Sequence, residues 1–324
     1  MKKFFWVICM VPLLQACTTI QIISFDRLHP ADVNFPSQIR SVGIVNSMPV
    51  VEVDDGEQKR SSGLLEGDGR VATESLAQEI AATGYFDKVV ICDSAVWKNP
   101  VPMENFLPEA MVDSLAYVLG VDMLLVMERV HIQLSDGLMM KPELMGAVPA
   151  VDGVVTPLLR SYVPGRDVPI FAVSKSDTLC WEKSPSLTFA QIVKEASEYG
   201  GSMPVQTLLP YWVETQRYYF DGGSVEMRDA GVYVRESNWA DAIELWKQVY
   251  DAKKGKARMR AAFNLALSCE MQDDYVRAKE YLDEASLWVG EDSQEGALIG
   301  FYRRQLEEQM QKSQRLRMQM QRFE

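Results

Sequence analysis

The sequence is poor in histidine, in basic residues and in long apolar runs. Only His29 and His131 occur among 324 residues, which argues against a histidine-rich metal centre. Lysine and arginine total 33 against 45 aspartates and glutamates, giving a formal net charge of -12. This acidic balance argues against nucleic-acid binding, which needs a basic surface. Beyond the first residues no run approaches the roughly 20 apolar residues that cross a bilayer, so we expect a folded body outside the membrane.

The familiar catalytic motifs are also absent from the sequence. It contains no P-loop, no GxGxxG after a strand, no HExxH, no GxSxG and no paired CxxC. His131 follows an apolar strand, where a structural role is expected rather than general base catalysis. Asp54, Asp55 and Glu57 lack the EF-hand spacing and are expected in a solvated loop. We therefore predict a protein that is not an enzyme, without catalytic residues, bound metal or cofactor.

The first residues are typical of an exported lipoprotein. Two lysines precede an apolar run over residues 4–14, which is too short to span a bilayer but has the length of a signal-peptide core. Residues 14–17 read Leu-Gln-Ala-Cys and resemble the lipobox of bacterial lipoproteins, although Gln15 replaces the usual small or hydroxyl residue. The resemblance implies a signal peptide over residues 1–16 and fatty acylation, including palmitate, at Cys17.

Acylation of Cys17 would tether the protein to a membrane, because two or three acyl chains anchor a protein stably. Thr18 follows the cysteine in place of the aspartate that retains many lipoproteins in the inner membrane. By family analogy we expect a lipid-anchored protein of the cell envelope, in the outer membrane. The alternative is an ordinary secretory signal with an incidental cysteine.

Three further cysteines, Cys92, Cys180 and Cys269, lie far apart in the sequence. No pair has zinc-type spacing, and an odd number leaves at least one thiol unpaired. We expect three small buried thiols, with one disulfide among them left open because the envelope is oxidising.

Two regions with different periods follow a predicted tether over residues 17–36. Apolar strands alternate with helices over residues 37–222, which indicates an α/β layer. Strands are predicted at residues 41–46, 88–92, 121–130, 154–162, 168–181 and 213–220, and helices at residues 72–82 and 108–120. A capping box of Thr188 and Gln191 opens a further helix, which Gly200-Gly201 is expected to end or break.

Residues 223–312 carry an internal repeat with a spacing of 36 residues between Ala242 and Ala278. The pattern resembles the tetratricopeptide helix pair of about 34 residues, in which small residues let two helices approach and an aromatic residue fills the gap beside them. The repeat positions are Ala230, Tyr233, Trp239, Ala242, Trp246 and Val249, then Ala266, Cys269, Tyr275, Ala278, Leu282 and Ala285. A helix over residues 294–312 is expected to cap the repeats. Residues 313–324 are expected to form a frayed tail, and the alternative is a helix that binds a membrane surface or a partner.

The predicted fold class is therefore α+β or α/β. An N-terminal α/β sandwich with a mixed sheet precedes an all-α domain of tetratricopeptide-like helical repeats. The layout resembles a family of Bacteroidetes lipoproteins to which no activity is assigned. The resemblance is carried by the lipobox, the strand at residues 42–46, Pro-Tyr-Trp at residues 210–212 and the C-terminal helices. It implies a location and an architecture.

Stacked helix pairs build concave grooves that hold peptides or partner helices. The sequence therefore favours a non-enzymatic, membrane-anchored adaptor or scaffold that binds a protein partner in the envelope and does not bind nucleic acid. First-helix residues line such grooves, so the candidate partner-binding residues are Tyr233, Arg235, Asn264 and Ser268. The alternatives are helices that merely brace the first domain, a lipoprotein that binds envelope glycan or small molecules, and a glycan-acting hydrolase. For sugar binding the candidates are Trp97, Trp181 and Trp212, if they are exposed.

Overall fold

The computed structural model describes residues 20–48, 63–92, 95–96 and 106–323, and these residues form two compact units. The helical unit comprises Trp212–Arg315 with the described part of Met1–Leu28. The sheet unit comprises His29–Tyr211 and Leu316–Glu324. A mixed sheet with helices precedes a helical region, so the predicted α+β fold class is confirmed. The predicted signal peptide and Cys17 lie outside the described residues.

The strands are β1 (Ile20–His29), β2 (Ser41–Asn46), β3 (Gly63–Glu66), β4 (Lys88–Cys92), β5 (Met123–Lys141), β6 (Gly146–Tyr162), β7 (Phe171–Val173), β8 (Asp177–Glu182) and β9 (Tyr211–Phe220). The helices are α1 (Gly69–Ala82), α2 (Glu109–Leu119), α3 (Phe189–Ser202), α4 (Val205–Leu208), α5 (Val225–Arg235), α6 (Trp239–Ala252), α7 (Lys256–Met271), α8 (Tyr275–Ser286) and α9 (Gln294–Met320). Short 3-10 turns cover Pro142–Leu144 and Gln321–Phe323.

The large sheet combines a parallel and an antiparallel part. Its strand order is β4-β2-β5-β6-β7, with β3 added to β5 and β8 added to β6. β2 is parallel to both β4 and β5, whereas β3, β6, β7 and β8 join the sheet in antiparallel pairs. The chain leaves β2 for β4 on one side and then crosses to β5 on the other. Ligands of open α/β sheets bind beyond the carboxyl ends of the strands at such a reversal.

Helices cover the two faces of this sheet to different extents. The first face packs on α1 and α3 through a core that includes Ile44, Leu125 and Met127. The second face packs on α2 through Val45 and Val126. Strands buried on both faces carry continuous apolar runs, which explains why β2 and the start of β5 could be recognised in the sequence. The antiparallel part alternates buried and exposed residues instead.

Three element predictions in the sheet unit need correction. β5 and β6 extend to Lys141 and from Gly146, well beyond their apolar segments, because they pair with each other along their whole length. The strand predicted over residues 168–181 is two strands, β7 and β8. The pair Gly200-Gly201 does not end α3, which continues to Ser202. A Cβ atom on Gly201 would lie 2.2 Å from the carbonyl oxygen of Ala72, so the glycine permits a close crossing of α1 and α3.

The tether predicted over residues 17–36 is also wrong for its described part. Ile20–His29 forms β1, which pairs with β9 in a two-stranded sheet. The predicted boundary at residues 222 and 223 differs as well, because the units divide between Tyr211 and Trp212. β9 pairs with β1, which precedes the sheet unit in the sequence. Apart from Tyr211, β9 therefore belongs to the helical unit.

The region that the sequence predicts to be helical, residues 223–312, contains α5 to α8 and most of α9. α5 packs on α6, α6 on α7 and α7 on α8. The core of the helical unit contains Trp246, Phe263 and Leu282. The last prediction, a frayed tail over residues 313–324, is wrong for its described part, since α9 runs to Met320 and both Gln319 and Arg322 are buried.

Candidate functional site

Two of the four predicted partner-binding residues are buried inside the helical unit. Asn264 on α7 has no exposed surface and Ser268 is 4% exposed. The Asn264 amide accepts a hydrogen bond from the Phe220 backbone N–H (2.8 Å) and donates one to the Phe220 carbonyl (2.6 Å). The Ser268 hydroxyl donates to the carbonyl of Leu265 at 2.8 Å. Because β9 covers this side of α7, Asn264 and Ser268 cannot line an open groove, which corrects their assignment.

The other two predicted residues lie on α5. Tyr233 is half-buried and Arg235 is exposed. The Arg235 guanidinium lies 3.8 Å from a carboxylate oxygen of Asp221. Tyr233 and Arg235 therefore remain available at the surface, but the structure does not bring all four candidates together in one site.

A buried ionic network explains how the two-stranded sheet is held on the helices. Glu270 on α7 is fully buried. Its two carboxylate oxygens accept hydrogen bonds from Nε and Nη2 of Arg217 on β9, at 3.0 and 2.8 Å. The Tyr302 hydroxyl on α9 donates to the same carboxylate at 2.7 Å, and Arg27 on β1 lies 3.5 Å from it. Burial together with the Glu270 charge raises the pKa of Tyr302 well above its ordinary value. The network is internal, so Glu270, Arg217 and Tyr302 do not line an open groove.

A second group of polar residues lies in the sheet unit, and we call it the polar sheet face; most of its members are half-buried and Tyr162 is fully buried. It comprises Glu66, Glu128, Arg129, His131, Arg160 and Tyr162. β5 positions its centre, because the register with β6 shifts between Met127 and Arg129 and leaves Glu128 without a partner residue. A β-bulge of this kind re-aims side chains and is common beside functional sites. The bulge follows directly after the parallel part of the sheet.

Glu128 is the hydrogen-bonding centre of the inner half of this face. The Tyr162 hydroxyl donates to it at 2.9 Å, and the Arg160 guanidinium forms an ion pair with its other oxygen. Arg160 also stacks over the ring of Phe106, at 4.8 Å from the centroid. Burial raises the pKa of Glu128, and the Tyr162 hydrogen bond and the charges of Arg160 and Arg129 offset this only in part. Burial and the neighbouring Glu128 charge raise the pKa of Tyr162 to about 12, so its hydroxyl stays neutral.

Glu66 and His131 form the outer half of the face. They are paired in register across β3 and β5, and the His131 ring nitrogen lies 3.2 Å from a Glu66 oxygen. The other Glu66 oxygen accepts the backbone N–H of Val130 at 3.1 Å. Burial raises the pKa of Glu66, against the lowering effects of that hydrogen bond and of the charges of His131 and Arg129.

Arg129 connects the two halves. Its charge lowers the pKa of both Glu66 and Glu128, and its guanidinium lies 3.5 Å from the His131 ring. The face is open to solvent at its outer end, where Leu64 is 67% exposed and Gln133 beside it is exposed. The arrangement offers donors and acceptors held in place by their own ion pairs, which is a preorganised surface for a polar partner. The sequence signal for it is the pair Glu128-Arg129, which directly follows the apolar start of β5.

The tryptophans and the acidic loop residues named in the sequence analysis are not part of the polar sheet face. Trp181 is half-buried and its indole N–H donates to Glu195 at 2.7 Å, whereas Trp212 is 69% exposed. Trp97, Asp54, Asp55 and Glu57 lie outside the described residues. Within the described ranges no group of three or more His, Cys, Asp or Glu side chains could hold a metal ion.

Among the described residues, Cys180 and Cys269 are free thiols. Cys92 and Cys269 are half-buried, but Cys180 is exposed, so the expectation of three buried thiols is wrong for Cys180. Its thiol pKa is raised by a hydrogen bond with Asp152, which does not favour a reactive thiolate. No described helix is long and apolar enough to cross a membrane.

Two family models match parts of the chain. A domain of unknown function (DUF8603) matches residues 39–220, which is more than half of the chain, so the chain belongs to this family. A second domain of unknown function (DUF6340) matches residues 228–308 in the helical unit. A search of curated proteins finds no match.

Two solved structures also share similarity with the chain. They are a PelC dodecamer from Paraburkholderia phytofirmans and a variant of it, each 12% identical in sequence. The alignments cover 58% of this chain and 98% of theirs, with TM-scores of 0.27 and 0.28. At these scores the similarity supports no conclusion about fold or function.

Proposed function

We propose that this is a non-enzymatic protein of the cell envelope, anchored to a membrane through lipid on Cys17, that binds a protein partner on the polar sheet face. The anchor rests on the resemblance of residues 14–17 to a lipobox. The observation that carries the recognition site is the cluster around the Glu128 bulge, where two half-buried carboxylates and two half-buried guanidiniums lie next to the exposed Leu64. The helical unit, whose α7 surface is filled by β9, serves mainly as a support.

A protein partner suits this face better than a simple ion. The charged groups are already paired with each other, so the face has a pattern of both signs and not a strong field of one sign. Mixed charge patterns of this kind give specificity between protein surfaces and determine their register. The exposed Leu64 supplies apolar surface beside the charges. Tyr233 and Arg235 on α5 are the competing surface.

The proposal is tested with two matched pairs of alanine variants in intact cells. Leu64→Ala with Gln133→Ala truncates exposed side chains of the sheet face without touching its ion pairs. Tyr233→Ala with Arg235→Ala does the same on α5. Crosslinking in cells followed by mass spectrometry is expected to yield a partner that the first pair loses and the second pair retains. If only the α5 pair loses the crosslinked partner, the partner binds the helices and the proposal is wrong.

A second candidate function is glycan binding on the same face. The observation that favours it is the raised pKa of two neighbouring carboxylates, Glu66 and Glu128, beside the 41% exposed ring of Phe106. Carboxylates and an aromatic ring are common in sugar sites, and raised pKa values are common at functional sites. Calorimetric titration with envelope glycan fragments should then show binding that Phe106→Ala weakens. Hydrolysis that Glu66→Gln or Glu128→Gln abolishes would indicate an enzyme instead.

A further inference from the structure

The last described residues of the chain dock into the sheet unit through specific contacts. We call residues 316–323 the tail. Gln319 is 2% exposed. Its side-chain amide forms hydrogen bonds with backbone groups, as the backbone of a neighbouring strand would. Its oxygen accepts the N–H of Ala31 at 2.9 Å, and its nitrogen donates to the carbonyls of Ala31 (3.0 Å) and Val33 (2.9 Å). One side chain therefore satisfies three backbone groups of an irregular segment.

Arg322 enters an aromatic cage three residues later. Its guanidinium carbon lies 4.3 Å from the ring centroid of Tyr85 and 5.2 Å from that of Phe86, both within the range of cation–π attraction. One terminal nitrogen donates to the Ile39 carbonyl at 2.6 Å. Phe323 closes the cage by packing edge-to-face on Tyr85, with the centroids 5.5 Å apart. We call the backbone of Ala31 and Val33, the Ile39 carbonyl and these two rings of the sheet unit the tail site.

The contacts have the form of peptide recognition. Backbone groups bind the carboxamide of Gln319, and two rings and a carbonyl bind the guanidinium of Arg322 three residues later. The buried Nη1 of Arg322 has no hydrogen-bond acceptor among the described residues, which weakens the docked state.

We propose that the tail site is a peptide-binding site and that the tail of a second copy of this chain can occupy it, so that two chains associate by exchanging tails. Every copy carries the segment that the site is known to fit, and the contacts in the pair would be the same as those within one chain. Exchange of an identical element is a low-cost route to a dimer for this reason. The proposal is independent of the polar sheet face.

Donor and acceptor variants of the full-length protein test this directly. Gln319→Ala with Arg322→Ala removes the recognised side chains and leaves an empty site. Tyr85→Leu damages the cage and leaves a free tail. Each variant alone is expected to be monomeric in sedimentation velocity, whereas an equal mixture should form a one-to-one complex. A mixture that stays monomeric while circular dichroism shows both variants folded would overturn the proposal.

A matched control uses the exposed neighbours in the same tail. Arg317→Ala with Gln321→Ala removes one arginine and one glutamine that are exposed, so the site stays occupied by its own tail. This control should bind the Tyr85→Leu variant at least about tenfold more weakly than the acceptor variant does, because the resident tail competes at high effective concentration. Equal binding by the control and the acceptor would contradict the proposal.

A second measurement applies if a variant fails to fold. A synthetic peptide of residues 314–323, with a photoreactive group in place of Phe323, is added to the wild-type protein. We expect crosslinks to Tyr85 or Phe86 that are lost when the peptide carries alanine at positions 319 and 322. The absence of crosslinks, or equal crosslinking by both peptides, would overturn the proposal.

Discussion

At the scale of single residues, Glu270 connects more elements of the helical unit than a surface residue could. Its carboxylate holds Arg217 of β9 and Tyr302 of α9, and Arg27 of β1 lies beside it. A buried ion pair adds little net stability compared with an apolar replacement, but removing one partner leaves an uncompensated buried charge. The network therefore determines where β1 and β9 attach.

Replacing Glu270 by glutamine should destabilise the helical unit strongly. The change leaves Arg217 buried without a counter-charge, which costs about 3–5 kcal/mol. Urea unfolding followed by tryptophan fluorescence measures the loss. The control is Glu308→Gln on α9, where the glutamate is exposed and the change should alter stability by less than about 0.5 kcal/mol. Similar losses for both variants would show that the network is not a main support.

The polar sheet face predicts a pH dependence of stability. Burial raises the pKa of Glu66 and of Glu128 above the ordinary 4.5, so the folded state holds these protons more tightly than the unfolded state. Between the ordinary pKa and the raised values, stability from these groups must increase as the pH falls. Urea unfolding from pH 7 downward should show this gain in the wild type and a smaller gain in Glu66→Gln with Glu128→Gln. An identical pH profile for both proteins would contradict the assignment.

Individual residues were predicted unevenly from the sequence. The helix predicted over residues 108–120 does end at this position, where Gly120 adopts the left-handed conformation with φ of 62°. Asn264 was expected at a surface, because the position of a residue in a repeat does not reveal that β9 covers it. Glu128 was overlooked, since the bulge that turns it outward depends on the pairing of β5 with β6 and not on local sequence.

At the scale of elements, the close crossing of α1 and α3 depends on a glycine. Gly201→Ala should destabilise the sheet unit by about 1–3 kcal/mol, because its Cβ would meet the Ala72 backbone and force the helices apart. Gly290→Ala is the matched control, since a Cβ there meets no atom within 4 Å. Thermal unfolding of both variants tests this, and equal melting temperatures would show that the crossing can adjust.

Elements with a strong local period were predictable, whereas those that depend on distant partners were not. β2 and β4 have apolar runs, and α2 has a glycine cap, so the local sequence predicts all three elements. β1 alternates only weakly and becomes a strand through β9, which lies almost 200 residues later. The tail is rich in glutamine, arginine and methionine, and such a composition does not indicate burial. Its order arises from Gln319 and Arg322 meeting particular groups of the sheet unit.

At the scale of the whole molecule, the proposed anchor makes Cys17 decisive for location. Cys17→Ser should move the protein from the membrane fraction to the soluble fraction and abolish labelling by radioactive palmitate, because no other acylation site is proposed. Cys9→Ser is the control, since Cys9 lies inside the apolar run of the signal and should not matter. A Cys17→Ser protein that stays acylated would refute the lipoprotein interpretation.

The central claim is that a partner is recognised on the polar sheet face. The most direct measurement places a photoreactive amino acid at Gln133, beside this face, or at Val232, which is 42% exposed on α5, and irradiates intact cells. We predict a covalent adduct of defined mass from position 133 and none from position 232. An adduct from position 232 alone would show that the helices recognise the partner and would contradict the account.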